Sequence, residues 1–310
     1  MVKLPFIVLI LSFIITLKAA DYLIDASSDF AEFCGVSPLI IGLTIVAFGT
    51  SAPEAAVNIT ASIQNKSDIS MGNILGSNIM NIGIVVSLTA IFFTIKSEWA
   101  AIRIDIPFAF ISSTLLYLLI LDDLSREDGL VLGIIFFIYL NYLWLTSKES
   151  HKNNRGRRQR SINIRSTLFF LLIGLVGIAS GGYLIVESSV KIAEFLGLSE
   201  AFIGLTLVSF GTSLPELITC FVACSRENDS IAIGNLIGSN IFNIIFVLAI
   251  SSIISPIMFS EKLVLDLAIM NIMTLLLFVF AYTHKKISRA EGFLLIFIYI
   301  LYFAVIFLRN

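Results

Sequence analysis

Charged residues are scarce in this chain. Asp, Glu, Lys and Arg make up only 14% of the 310 residues, whereas 57% belong to the hydrophobic set. A water-soluble domain of this size cannot bury so many apolar side chains, but lipid can surround them. The apolar runs are long and continuous, unlike the short alternating segments of a membrane β-barrel. The composition therefore predicts an all-α integral membrane protein.

Cysteine and histidine are also few. Cys34, Cys220 and Cys224 form no CxxC pair, so neither a disulfide framework nor a zinc site is expected. His151 and His284 fall in predicted loops, which leaves the serine and zinc mechanisms of an intramembrane protease without essential parts. We therefore expect neither an enzyme nor a resident cofactor.

Apolar segments recur along the whole chain, separated by short polar connections. Each segment is long enough to cross the roughly 30 Å hydrocarbon core as a helix. The ten segments lie near 4–24, 38–64, 69–95, 103–121, 129–147, 167–190, 201–225, 230–257, 263–282 and 291–308. The sequence thus predicts ten transmembrane helices.

The chain contains an internal repeat. GLTIVAFGTSAPE begins at Gly42 and GLTLVSFGTSLPE at Gly204, with ten of thirteen positions identical at an offset of 162. The same offset aligns GNILGSNIMN, from Gly72, with GNLIGSNIFN, from Gly234. We interpret 1–147 and 167–310 as two copies of one five-helix unit, joined by a linker at 148–166.

An odd number of helices per unit has a topological consequence. If the first unit starts on one side of the bilayer, the second starts on the other, so the two units are inverted repeats, as in many secondary transporters. The linker 148–166 is rich in Lys and Arg and is predicted to be cytoplasmic. Counting outward, both termini are predicted to be extracellular. A topology signal also explains the basic linker better than nucleic-acid binding does.

Each repeat interrupts an apolar segment with proline and a carboxylate. Pro53 and Pro215 lack the N–H that would bond the carbonyl four residues earlier, so each helix should break or loosen there. Glu54 and Glu216 follow directly, in the middle of their segments, and no Lys or Arg of those helices can pair with them. A charge at that depth is costly and indicates a functional site.

Small oxygen-bearing side chains accompany the two carboxylates. The i,i+4 pairs Thr50 with Glu54 and Ser77 with Asn81 each share a helix face, and Thr212 with Glu216 and Ser239 with Asn243 repeat them. Oxygen ligands without histidine or cysteine favour a hard cation, either Ca²⁺ or Na⁺. In an inverted-repeat transporter such a site lies near the midplane, where the repeats meet.

The paired motifs resemble the two alpha-repeats of the sodium/calcium exchangers, a family of calcium:cation antiporters. Here the repeats correspond to residues 42–82 and 204–244, and the resemblance covers both halves of the chain. It implies a site formed by the second, third, seventh and eighth helices, with Ca²⁺ and Na⁺ as alternating substrates. The short linker matches members that have no cytosolic regulatory domain.

The resemblance also implies a ligand set. Glu54 and Glu216 would bind both ions, with Thr and Ser oxygens completing the sites. The matching positions are Thr50, Ser51, Ser77, Thr212, Ser213 and Ser239, with backbone oxygen at Ala47 and Ser209 and the final motif residues Asn81 and Asn243. Potassium-dependent relatives carry Asp where Asn243 stands, so K⁺ dependence is not expected.

The predicted function is therefore antiport of Na⁺ against Ca²⁺ in the plasma membrane. The resemblance implies three Na⁺ per cycle, whereas the two carboxylates alone would also be neutralised by two. Proton/calcium antiport is the alternative reading, because Glu54 and Glu216 could exchange Ca²⁺ for protons. A channel is a further alternative, distinguished by uncoupled flux. We expect a monomer whose partners are the two ions and the lipid bilayer.

Overall fold

The computed structural model describes residues 3–120, 123–153, 162–195, 209–258 and 261–309, and nearly all of them are helical. The predicted all-α fold class is confirmed. In chain order the helices are α1 (Lys3–Cys34), α2 (Pro38–Thr50), α3 (Ala52–Ile63), α4 (Ser67–Phe93), α5 (Ala101–Leu119), α6 (Arg126–Asn153), α7 (Ile164–Phe195), α8 (Ser209–Thr212), α9 (Leu214–Ser225), α10 (Asp229–Ile254), α11 (Val264–His284) and α12 (Arg289–Arg309). Two short strands are β1 (Ile95–Lys96) and β2 (Lys286–Ile287).

Eight helices in the described part of the chain are long and apolar enough to cross a membrane by themselves. The bent pair α2 and α3 makes a ninth candidate if it is counted as one span. The seventh predicted segment, 201–225, begins in residues outside the described ranges, and its described part comprises the short helices α8 and α9. The full set of ten spans therefore remains a prediction.

Helices α1 and α7 continue well beyond their predicted ends at residues 24 and 190. In α1 the buried face extends through the polar stretch, because Ala20, Leu23, Ser27 and Ala31 recur at helical spacing and are all buried. Polar residues lie on the other faces, so the helix end predicted from hydropathy falls too early in the chain. The buried face of α1 packs along α7, where a Cβ at Gly174 would lie 2.9 Å from the backbone of Leu23.

Helical structure extends into the basic linker from both sides. Helix α6 continues to Asn153 and α7 begins at Ile164, so both ends of 148–166 are helical. The loop prediction for the histidines is correspondingly wrong. His151 belongs to the last turn of α6 and His284 is the last residue of α11.

Two pairs of interhelical loops meet by backbone pairing, which the sequence did not predict. Strand β1 pairs with β2 in antiparallel register, with Ile95 opposite Ile287. A single antiparallel bridge joins Leu124 to Ile257, and each of these two residues donates its N–H to the other's carbonyl. Each pairing ties a loop of one half of the chain to a loop of the other half.

Helices α2 and α10 approach each other at backbone distance. A Cβ at Gly42 would lie 2.8 Å from the Ile231 main-chain oxygen, and one at Gly234 would lie 2.5 Å from that of Leu39. Glycine is therefore required at this crossing, because any side chain would push the two helices apart. The close approach joins the GTSAPE-bearing segment of the first repeat to the GNxxGSN-bearing helix of the second.

We expect Gly234→Ala to destabilise the protein by about 1–3 kcal/mol, because the added methyl group overpacks the crossing. The measurement is the thermal unfolding midpoint of the purified protein in detergent. Gly133→Ala is the matched control, since a Cβ built there has no described atom within 4 Å apart from its chain neighbours and its own helix backbone. An equal midpoint for the two variants would contradict the assigned crossing.

Candidate cation-binding site

Both proline-containing segments are broken helices, as the sequence predicts. Helix α2 ends at Thr50 and α3 begins at Ala52, and their axes differ by 50°. Ser51 lies at the break with φ −84° and ψ 6°. In the second half, Ser213 lies between α8 and α9 with φ −88° and ψ 0°. Each break starts a new helix with proline in its first turn.

The two carboxylates lie just after the breaks. Glu54 is in the first turn of α3 and Glu216 in the first turn of α9, and both have 0% of their surface exposed. A helix N-terminus carries partial positive charge, which favours a carboxylate at this position. Helices α2, α3, α4, α8, α9 and α10 contain neither Lys nor Arg. The dipoles are therefore the fixed positive charge that these helices provide.

Hydroxyl groups from both halves converge on the carboxylates. Ser51 Oγ donates to Glu216 Oε1 at 3.1 Å, and Ser239 Oγ donates to the same oxygen at 3.3 Å. Ser77 Oγ donates to Glu54 Oε1 at 3.4 Å, and the Thr212 side chain also hydrogen-bonds Glu54. Each carboxylate thus receives hydroxyl groups from its own repeat and from the other.

Thr50 lies on the boundary between the halves. Its hydroxyl donates to Asn235 Oδ1 at 2.9 Å and lies 3.3 Å from both Ser239 Oγ and the Ala47 carbonyl oxygen. The Ala47 backbone, which the family resemblance implied as a ligand, is therefore beside the site. Its counterpart Ser209 is the first residue of α8, and the Ser209 side chain lies outside the described part.

Asn81 and Asn243 each begin a π-helical turn, over Asn81–Val86 and Asn243–Val247, and both are fully buried. Such turns frequently mark functional sites. Asn81 Nδ2 donates to Asn240 Oδ1 at 3.0 Å, and Asn243 Nδ2 donates to Asn78 Oδ1 at 3.2 Å. Both bonds cross from one repeat to the other.

Several buried oxygen atoms of these residues have no hydrogen-bond partner among the described residues. They are Glu54 Oε2, Glu216 Oε2, Asn81 Oδ1, Asn243 Oδ1 and Ser213 Oγ. Buried polar atoms are normally paired, because leaving one unpaired costs about 1–3 kcal/mol. The two carboxylates also repel each other when both are ionised. A cation would relieve both costs.

The donor set has few ionisable members. Among the described residues, no cluster of three or more His, Cys, Asp and Glu side chains could hold a metal ion. The candidate site instead combines two carboxylates with neutral hydroxyl and amide oxygens. Hard cations such as Ca²⁺ accept such a mixture of ligands.

Other asparagines of the two repeats also contact the site, although sequence reasoning did not select them. Asn58 Nδ2 donates to the Glu54 carbonyl oxygen at 3.0 Å, and Asn73 Nδ2 lies 3.5 Å from it. The internal repeat could have indicated them, since Asn73 and Asn78 of the first motif recur as Asn235 and Asn240 in the second. Their role depends on contacts between helices, which a sequence pattern does not display.

Broken helices with buried carboxylates in their first turns, within an all-helical membrane protein, are typical of secondary transporters. The family follows from comparison with known sequences. A family profile described as "Sodium/calcium exchanger protein" matches residues 4–145 and 166–308. The chain belongs to this family.

Individual relatives agree with this assignment. The sodium/calcium exchanger MaX1 of Methanosarcina acetivorans is 32% identical, over 99% of both chains. The putative antiporter CaxA of Alkalimonas amylolytica is 33% identical, over 97% of this chain and 98% of its own. The solved structure of the sodium-calcium exchanger NCX_Mj, soaked with Na⁺ and Sr²⁺, superposes with a TM-score of 0.87 at 34% identity, covering 98% of this chain and 99% of the other.

Proposed function

We propose that this protein is a secondary active antiporter that exchanges Na⁺ for Ca²⁺ across the cell membrane by alternating access. Glu54 and Glu216 are the central ligands of both ions. The neutral ligands are Thr50, Ser51, Ser77, Asn81, Thr212, Ser213, Ser239 and Asn243, together with the backbone oxygens of Ala47 and Ser209.

One observation carries this proposal. Five buried oxygens of these residues, including one from each carboxylate, lack a hydrogen-bond donor among the described residues. Because these helices contain neither Lys nor Arg, the unpaired acceptor oxygens are suited to coordinate a dehydrated cation. The membership of the chain in the exchanger family identifies Na⁺ and Ca²⁺ as the candidate ions.

The charge of the site makes exchange obligatory. With both glutamates ionised the site carries a charge of −2, which one Ca²⁺ neutralises. Moving the unoccupied site through a low-dielectric barrier would expose an uncompensated charge and is costly. The protein therefore switches between its two access states only with Ca²⁺ or Na⁺ bound. This requirement couples the Na⁺ flux to the Ca²⁺ flux.

We propose a stoichiometry of three Na⁺ to one Ca²⁺. Two Na⁺ would neutralise the carboxylates, but each half offers additional Thr, Ser and backbone oxygens beside them. Thr50 and Ser239, for example, lie in contact with each other at the edge of the carboxylate pair. Such groups provide outlying Na⁺ positions, and the Na⁺-loaded site then carries a net charge of +1.

We also propose ten helices arranged as two inverted repeats in a functional monomer. Repeated contacts support this arrangement. Tyr139 donates to Asp105 at 3.0 Å, and Tyr302 donates to Asp266 at 2.7 Å at the corresponding place in the second half. The distribution of Lys and Arg supports a cytoplasmic 148–166 linker and extracellular termini.

Reconstituted protein tests the function. Proteoliposomes loaded with Na⁺ and diluted into Na⁺-free buffer with ⁴⁵Ca²⁺ at fixed pH should accumulate Ca²⁺. Glu54→Gln and Glu216→Gln should each reduce uptake to the level of protein-free liposomes, because each removes one charge that balances Ca²⁺. Both variants should still insert and elute as a single peak.

Glu187→Gln is the matched control for these variants. Glu187 is partly exposed and paired with Lys191 at 2.6 Å, so its loss should leave uptake unchanged. A parallel preparation carries a pH gradient in place of the Na⁺ gradient. Uptake driven by protons and not by Na⁺ would identify the proton/calcium antiporter, and uptake driven by neither would refute antiport.

Net charge movement tests the stoichiometry. With Na⁺ inside and Ca²⁺ outside, a 3:1 cycle moves one positive charge outward. A valinomycin potential positive inside should therefore speed Ca²⁺ uptake, since one charge through 100 mV is worth about 2.3 kcal/mol. Uptake that is indifferent to the potential would favour a 2:1 cycle.

Exchange should not require K⁺. Asn243 is a neutral amide where the K⁺-dependent relatives carry a carboxylate, so this site lacks the additional charge that would balance K⁺. Na⁺-driven Ca²⁺ uptake should persist when choline replaces K⁺ on both sides of the membrane. Uptake that stops under these conditions and returns on addition of K⁺ would contradict this expectation.

A further inference from the structure

Four asparagines connect the two repeats, and each lies within about one helical turn of Ser77 or Ser239, whose hydroxyls bond the carboxylates. Each copy of the motif ends in SNxxN, which places Asn78 and Asn81 on one face of α4 and Asn240 and Asn243 on one face of α10. All four side chains are buried. We refer to them as the asparagine bridge.

The hydrogen bonds of the asparagine bridge run between the halves. Asn81 Nδ2 donates to Asn240 Oδ1 at 3.0 Å, and Asn243 Nδ2 donates to Asn78 Oδ1 at 3.2 Å. Asn78 is itself held, because its Nδ2 donates to the Asn240 main-chain oxygen at 3.4 Å and lies 3.7 Å from Met270 Sδ. Its own oxygen is thereby directed to Asn243.

These bonds determine which end of each amide is available to an ion. An asparagine side chain has one acceptor oxygen and one NH₂ donor group, and a half-turn exchanges their positions. Because Asn81 and Asn243 commit their NH₂ groups to the bridge, their oxygens face elsewhere. Both oxygens are buried without a donor among the described residues.

We infer that Asn78 and Asn240 are positioning residues, which hold Asn243 and Asn81 with their side-chain oxygens toward the transported cation. This inference rests on the proposed function. Without the bridge, either amide can turn its N–H groups to the site, where they repel a cation. A carboxylate in the same place would need no such support, because both of its ends are oxygen.

That difference supplies the test, a double-mutant cycle on the full-length protein in detergent. Ca²⁺ binding is measured at equilibrium in Na⁺-free buffer for wild type, Asn240→Leu, Asn81→Asp and the double variant. Asn240→Leu should weaken Ca²⁺ binding about 10- to 100-fold, the usual effect of losing a residue that orients a metal ligand. In the Asn81→Asp background, Asn240→Leu should weaken Ca²⁺ binding less than about threefold, because the carboxylate at position 81 needs no orientation.

A matched control separates orientation from general damage. Asn271 is another asparagine within the helix bundle, and it accepts hydrogen bonds from Ser113 and Thr114 at 2.9 and 3.0 Å. It takes no part in the site, so Asn271→Leu should leave Ca²⁺ affinity unchanged even if it lowers the unfolding midpoint. If Asn240→Leu does not give a monodisperse protein, Asn240→Ala replaces it in the cycle.

The outcomes are distinct. An equal loss of affinity in the wild-type and the Asn81→Asp backgrounds would overturn the positioning role and leave Asn240 as a packing residue. No loss in either background would overturn it as well. Wild-type protein that binds no Ca²⁺ at all would refute the proposed function, and this inference with it.

Discussion

The burial of two carboxylates within a bundle of apolar helices is the constraint on which the rest of this structure depends. Neither Glu54 nor Glu216 is exposed, and the helices that form the site, α2, α3, α4, α8, α9 and α10, contain neither Lys nor Arg. Each helix breaks immediately before its glutamate, so the carboxylate lies at a helix N-terminus, where the backbone dipoles favour it. The dipoles offset only part of the cost, and the cation of the proposed exchange would offset the rest.

The second requirement is that oxygens from both repeats reach the same point. Glycine makes this geometry accessible, since α2 and α10 contact each other through their backbones at Gly42 and Gly234. At that separation short side chains suffice, and Ser51 of one repeat reaches Glu216 of the other at 3.1 Å. A pair of helices held apart by larger residues would need longer, more flexible ligands, whose ordering would cost more entropy on binding.

Much of this arrangement is predictable from the sequence, for identifiable reasons. Proline cannot donate the helical hydrogen bond, so each helix was predicted to break or loosen at its GTS turn, and the breaks lie at Ser51 and Ser213. The lengths of α1 and α7 were not predicted. A polar stretch with one buried face has low mean hydropathy, yet that face packs as well as an apolar one. The strand pairing of Ile95 with Ile287 also depends on chain segments far apart in sequence. Asn78 and Asn240 belong to the same class, since their importance lies in contacts across the repeats.

The repeats are similar but not equivalent, and the difference matters for the proposed exchange cycle. Ser70 donates to Asn58, which holds the Glu54 carbonyl, whereas Cys220 and Ala232 occupy the corresponding positions of the second half. Arg226, just after α9, bridges Asp21 and Asp25 of α1 at 2.7 and 2.6 Å, and the equivalent position in the first half is Gln64. In an inverted-repeat transporter the two access states interchange the roles of the halves. In the proposed alternating-access cycle, interactions present in only one half would give the two states different free energies. The near-identity of the motifs would then preserve the ion site, while their surroundings would set the resting orientation of the protein.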